Sequence, residues 1–375
     1  MHKLVHLQLC LISSFDKSLH DKNYLNHSWF NLVRDVSCWG AHICSRSNQL
    51  DTPWELDISL APIPKITHNE KRFDVVLDSV AEKFCHLVFQ TQRTPYIMWS
   101  GGIDSTSILV SLLRVANKEL HERLVIVCNQ ASIDENPYFY HRYIKDQLRT
   151  VDTDQFAVTP ENYNKILYVN GECAEMIFGS THPHNLARLG QLDLLNHSWR
   201  DNALLSRSML TKNQHALEFG LDIIKESIKY SPVPIETIHD FLWWHYFNFK
   251  INDSLTRIML TVADQLNDQQ ATEFWKDSYY LFYMRPEMQI WSMITNNHRR
   301  EHMHIDYKYD AKNYIYQFDL NDFYRNNKQK HVSLIARRAD GNVFAIDQNW
   351  RRYSFNRVDD RRLLAKWLGK NTHAD

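Results

Sequence analysis

The chain predicts an α/β fold: a parallel sheet with helices on both faces, a helical C-terminal part and a small terminal β-hairpin. Two observations carry this. Apolar runs of strand length end at Trp99, Asn129 and Val169, and each leads into a turn and a helical pattern. Strand and helix signals alternating at this spacing imply parallel strands joined by crossovers. Ligands of such sheets bind beyond the carboxyl ends of the strands, where Trp99, Asn129 and Asn170 stand.

Taken in order, residues 1–70 read as a small α+β region. Leu7, Leu9 and Leu11 alternate as in a strand over 3–12, with a second strand near 55–60 and Pro53, Pro62 and Pro64 closing the region. His6 and Gln8 interrupt the apolar start, so no signal peptide is expected there. From Arg72 the pattern turns helical, with Phe73, Val76, Leu77, Val80, Ala81, Phe84, Cys85, Leu87 and Val88 on one face. The strand Tyr96–Trp99, a glycine turn and the helix from Ser107 to Leu113 follow. Arg123–Asn129 is the next buried strand. Asn136 and Pro137 then cap and open a helix reaching Leu148. Phe156–Thr159 is a short extended piece before the strand Lys165–Val169. Residues 185 to about 300 read as mostly helical and aromatic, including Ile238–Phe249 and Thr256–Leu266, and this density of rings suits packed core. At the end, Val332–Ala336 and Val343–Ile346 flank Asp340-Gly341, a hairpin signal, and a basic stretch with Arg351, Arg352, Arg357, Arg361, Arg362 and Lys366 follows. The expected domains are therefore 1–70, 71–325 and 326–375.

Composition limits the function classes. Hydrophobic residues make up 44% and charged residues 23%, as in ordinary globular proteins, and a net charge of −1 gives no global pull toward nucleic acid or anionic membranes. No run approaches the ~18 apolar residues that read as a membrane span. Six cysteines form no CxxC pair, which argues for a reducing compartment and against a structural zinc or iron–sulfur site. The expected location is the cytoplasm. His298, His302 and His304 invite a metal, but no acidic or cysteine companion is expected with them and HExxH is absent. No Ser-His-Asp triad or nucleophile elbow can be assembled.

Chemistry concentrates in Ser100-Gly101-Gly102-Ile103-Asp104-Ser105-Thr106. The chain has only nine glycines, well below the ordinary ~7%, so a Gly-Gly pair between strand and helix stands out. Glycines allow close backbone approach to phosphates, and a helix N-terminus favours negative charge. Ser100, Ser105 and Thr106 offer hydroxyls, and Asp104 offers oxygen to magnesium. The segment is neither a Walker A loop nor a dinucleotide fingerprint.

It resembles the PP-loop of the ATP pyrophosphatase superfamily, SGGxDS followed by Ser or Thr. A second segment, Asn170-Gly171-Glu172-Cys173-Ala174-Glu175-Met176-Ile177-Phe178-Gly179-Ser180, is similar to the GEGxDELFGG segment in the synthetase domain of asparagine synthetases. Cys173 stands where a glycine is usual, Met176 replaces a Glu and Ser180 replaces the last glycine. The resemblance implies an adenine nucleotide alpha hydrolase-like fold over 71–325. It also implies ATP cleaved to AMP and pyrophosphate with Mg2+, and an adenylated carboxylate or carbonyl substrate passed to an amine. It gives Glu172 an acid/base role and pairs Glu175 with Asp104 around magnesium. Ser100, Gly101, Gly102, Ser105 and Thr106 go to the phosphates, and Trp99, Asn129, Asn170 and Gly171 to the nucleotide. Tyr307–Tyr316 resembles the late segment supplying a phosphate-contacting lysine, which implies Lys312 or, failing that, Lys308. Arg257 is the counterpart of an Arg-rich helix motif. Asparagine synthetases expose a cysteine nucleophile at position two of a glutaminase domain; here position two is His2, so a separate amine or ammonia donor is expected. The alternatives are a PP-loop enzyme acting on a nucleobase or tRNA, and a catalytically silent ATP-binding protein of the same fold.

Overall fold

The computed structural model describes residues 3–7, 46–47, 57–58, 62–179, 182–209, 221–222, 224–249, 262–263, 265–302, 308–328, 342–347 and 352–356. Arg257, His304, Ser180, the expected strand 332–336 and the Asp340-Gly341 turn lie outside them. In chain order the strands are β1 (Lys3–Leu7), β2 (Asp57–Ile58), β3 (Thr94–Met98), β4 (Val125–Cys128) and β5 (Arg149–Asp152). They continue with β6 (Ile166–Asn170), β7 (Tyr279–Leu281), β8 (Asn342–Asp347) and β9 (Arg352–Asn356).

The chain divides into two units, and their boundaries differ from the three consecutive domains expected. One unit takes Met1–Ile63, Gly179–Thr272 and Arg338–Asp375; the other takes Pro64–Phe178 and Glu273–Arg337. The reason is pairing between distant segments. In the first unit β1 runs parallel to β2 and antiparallel to β8, and β8 pairs antiparallel with β9, giving the order β2-β1-β8-β9. The strand expected at Val343–Ile346 is present, and its hairpin partner is β9. The helix Ile238–Phe249 of this unit is buried on every face, its apolar and aromatic residues spread around the axis and His239, Asp240, His245 and Asn248 buried among them. Its entry is fixed by Asp240, whose carboxylate accepts from Glu236 N, Thr237 N and Thr237 Oγ1 at 3.1, 2.9 and 2.9 Å.

The second unit is an α/β layer structure. All pairings in its five-stranded sheet are parallel, in the order β5-β4-β3-β6-β7. Strands β4 and β6 are wholly buried and β3 mostly so, consistent with their apolar runs. The edges β5 (Arg-Thr-Val-Asp) and β7 (Tyr-Tyr-Leu) have neither length nor alternation to mark them and arise from pairing with the buried strands. Helix α1 (Phe73–Thr91) buries Phe73, Val76, Leu77, Val80, Ala81, Phe84 and Val88, while Cys85 and Leu87 are half-buried. Helix α2 (Ile103–Val115) follows β3 and packs beside α1, with Arg114 Nε donating to Asp78 at 3.1 Å. Next come α3 (Lys118–Arg123), α4 (Gln130–Glu135) and, after β6, α5 (Ala174–Phe178). Asn136 caps the single turn Pro137–Phe139, and a π-turn over Tyr140–Ile144 takes the place of the longer helix expected there. After β7 come α6 (Pro286–Ile294), α7 (Asn296–Glu301), α8 (Tyr309–Asp319) and α9 (Asp322–Asn327). Among the described residues no helix is long and apolar enough to cross a membrane.

Candidate active site

Strand β3 is the first of its sheet in sequence, and the strand order reverses beside it: β4 and β5 extend to one side, β6 and β7 to the other. The gap between the carboxyl ends of β3 and β6 is therefore the topological switch point, where open α/β sheets bind ligands. The bend after β3 is Ser100–Thr106, and the bend after β6 is Gly171–Cys173.

The first bend is shaped by its glycines. Gly101 has φ +73, and a Cβ there would lie 2.2 Å from the Ser132 carbonyl oxygen, so no side chain fits. Gly102 precedes α2 without a side-chain cap, and the first N–H groups of a helix have no intrahelical acceptor. Hydroxyls brace the turn internally. Ser105 Oγ accepts from Ser100 N at 3.1 Å, donates to Gly102 O at 3.2 Å and stands 3.0 Å from Ser100 Oγ. Two tyrosines from late in the chain hold its carbonyls: Tyr324 OH donates to Gly101 O at 2.8 Å, and Tyr283 OH to Asp104 O at 3.1 Å. Burial raises the pKa of both phenols, which stay protonated donors.

Trp99 and Thr106 turn inward. Both are fully buried, the Trp99 indole N–H donates to Thr106 Oγ1 at 3.1 Å, and its ring stacks at 6.1 and 6.3 Å on Phe139 and Tyr140. That position backs the loop. Asn129 caps α4, accepting at 3.1 Å from both the N–H and the hydroxyl of Ser132. Sequence placed Asn129 at its strand end correctly; its carbonyl oxygen is engaged locally.

The second bend meets the first. A Cβ on Gly171 would lie 2.9 Å from Asp104 Cβ, 3.0 Å from Asp104 C and 3.0 Å from Ser105 N. Asn170 is buried; its Oδ1 accepts from Glu172 N at 3.1 Å, and its Nδ2 has no hydrogen-bond partner among the described residues. Glu172 is half-buried, close enough to Tyr168 and Tyr279 that its charge adds to the burial that already raises both phenol pKa values. Cys173 has φ +70, the left-handed conformation a glycine adopts freely and another residue at a cost of roughly 1–2 kcal/mol. The bend therefore has a backbone requirement at Cys173 that a glycine would meet without strain. Glu175 is half-buried in the first turn of α5, and Met176 is 1% exposed within the core.

Lys308 brings a cation to the first bend. Its Nζ lies 2.6 Å from each carboxylate oxygen of Asp104, with the lysine side chain 9% and the aspartate 27% exposed. Lys312 is half-buried one helical turn further on, its N–H bonded to Lys308 O. A second ion pair flanks the loop: Lys328 Nζ is 2.6 Å from Glu135 Oε1, and Glu135 lies against both Gly101 and Gly102. Sequence reading missed Glu135, Lys328, Tyr283 and Tyr324, because nothing local in sequence ties them to the loop.

One further expectation is corrected. Glu301 is an acidic companion to the histidines: its Oε2 is 3.8 Å from His298 Nδ1, and His298, Glu301 and His302 gather potential ligand atoms within 4.8 Å of one another.

No family model, curated protein or solved structure matches the chain.

Proposed function

We propose that this chain is an ATP-dependent, AMP-forming ligase of the asparagine synthetase-like PP-loop type, with the adenine nucleotide alpha hydrolase-like fold and helices on both sheet faces. The observation that carries the reading is the contact of Gly171 with Asp104 and Ser105 at the switch point. Two bends that resemble the two parts of one nucleotide site lie side by side, although they are separate in sequence.

The residues fit the groups they would hold. Gly101 and Gly171 let the two bends pack closely on their neighbours where a side chain would collide, the buried Asn170 Nδ2 is a donor at the end of β6, and Asp104 and Glu175 are hard oxygen donors suited to Mg2+. Magnesium, when bound, neutralises pyrophosphate as it leaves. The first N–H groups of α2, which have no intrahelical acceptor, would serve the phosphates. Lys308 exchanges Asp104 for phosphate oxygen, and Glu172 accepts a proton from the incoming amine. An interaction of the oxyanion-hole kind is worth about 3–4 kcal/mol of barrier.

ATP–pyrophosphate exchange against a panel of carboxylates tests the reading. Exchange that depends on one carboxylate and is lost in Asp104→Ala supports it; nucleotide binding with no exchange for any carboxylate, carbonyl compound or nucleoside defeats it. That outcome supports a second reading, a silent ATP-binding protein. Met176 favours that one: the last acidic position of the motif is core packing here.

A further inference from the structure

We propose that His298, Glu301 and His302 form a site for one divalent transition metal, zinc being the best match. The site lies on α7 and its C-cap, and it does not depend on the nucleotide reading.

The argument begins with spacing. Residues four apart on a helix share a face, so His298 and His302 come together, with Glu301 one residue before the second histidine. The rings stand 4.5 Å apart between centroids. The three prospective ligand atoms lie within 4.8 Å of one another. In tetrahedral zinc sites, with bonds of about 2.0–2.2 Å, ligand atoms stand roughly 3.4 Å apart. His298 and Glu301 are exposed and His302 is half-exposed, so small side-chain rotations close that difference.

Ring orientation supports the set. His302 Nδ1 lies 3.0 Å from the His298 carbonyl oxygen, where it donates and leaves Nε2 to the metal. Tyr309 stacks on the same ring at 4.6 Å and holds its plane. His298 directs Nδ1 toward Glu301 and Nε2 toward Asp310 Oδ1 at 3.9 Å, so a carboxylate stands behind the ring as in carboxylate–histidine–zinc arrangements. Of the neighbouring arginines, the buried Arg299 donates to Thr295 Oγ1, Ser292 O and Asn296 Oδ1 at 2.6, 2.9 and 3.0 Å. Two nitrogens and a carboxylate suit zinc better than calcium or magnesium, which prefer oxygen alone.

The site would have a structural consequence. Asp310 lies in the first turn of α8, and Lys308 is the residue before that helix. A metal on α7 that draws in Asp310 through His298 ties the start of α8 to α7 and steadies the lysine that meets Asp104.

The test uses the full chain stripped of metal, titrated with Zn2+ in competition with a chromogenic chelator, and with Co2+ for its visible spectrum. The expected result is one tight equivalent, weakened at least tenfold in His298→Ala/His302→Ala and roughly tenfold in Asp310→Asn. A variant with all six cysteines changed to serine keeps the site. Circular dichroism establishes that each variant folds. Absence of a tight equivalent in the wild-type chain, or equal affinity in the double histidine variant, overturns the proposal.

Discussion

Gly171→Ala probes the contact between the two bends directly. The added methyl carbon would sit 2.9 Å from Asp104 Cβ and 3.0 Å from two backbone atoms, whereas ordinary contact begins at 3.4 Å. Backbone at the start of α2 cannot swing aside as a side-chain tip can, so the bends must separate by about half an ångström. Overpacking of this kind costs about 1–3 kcal/mol. The lower entropy of the unfolded chain returns about 0.4–1 kcal/mol of that. The net expectation is a loss of about 1–2 kcal/mol, measured as a shift of the urea midpoint at constant slope. Asp104→Gly removes the nearest atom, so the double variant should be more stable than the sum of the singles by about 0.5–1.5 kcal/mol. The lost pair with Lys308 is common to both arms of the cycle and cancels. If Gly171→Ala is neutral or stabilising, or if the two changes simply add, the bends do not touch and the account of the site is wrong.

Two other predictions concern charge. Lys308→Met leaves a largely shielded Asp104 without its cation, and at this partial exposure the loss should be about 1–3 kcal/mol, most of it recovered in Asp104→Asn/Lys308→Met; additive urea midpoints would refute the pairing. In the other unit, burial pushes the Asp240 carboxyl up, but the neighbouring His239 ring, 3.9 Å away, and hydrogen bonds from Thr237 and Glu236 outweigh it and bring the pKa from 3.8 to about 2. A depressed folded-state value means that its contribution is present above pH ~4 and fades as pH falls toward 2. The stability gap between wild type and Asp240→Asn should therefore be about 2 kcal/mol at neutral pH and shrink through that window; a gap independent of pH would count against it.

The parts of the site legible in sequence are those made by neighbouring residues. An apolar run, Gly101-Gly102 and an amphipathic helix specify strand, turn and helix without help from elsewhere, and so do Ile166–Asn170, Gly171 and Glu172. Parallel order followed from alternation, but the edge strands did not, because β5 is polar and β7 has three residues. Lys308 was a secondary candidate beside Lys312. Nothing in a helical pattern says which of two lysines one turn apart meets an aspartate 204 residues away. Trp99 illustrates the same limit: its place at a strand end was clear, whereas its inward rotamer depends on Phe139 and Tyr140. The left-handed Cys173 was marked only by comparison with a glycine.

The claim on which the rest depends is that these bends hold a nucleotide triphosphate. Isothermal titration of the full chain with ATP and Mg2+, repeated with Asp104→Asn and Gly101→Ala, measures it. The account predicts one site per chain, with affinity at least tenfold weaker in both variants. Wild-type chain that takes up no heat with ATP, or variants that bind as well as it does, would contradict the account.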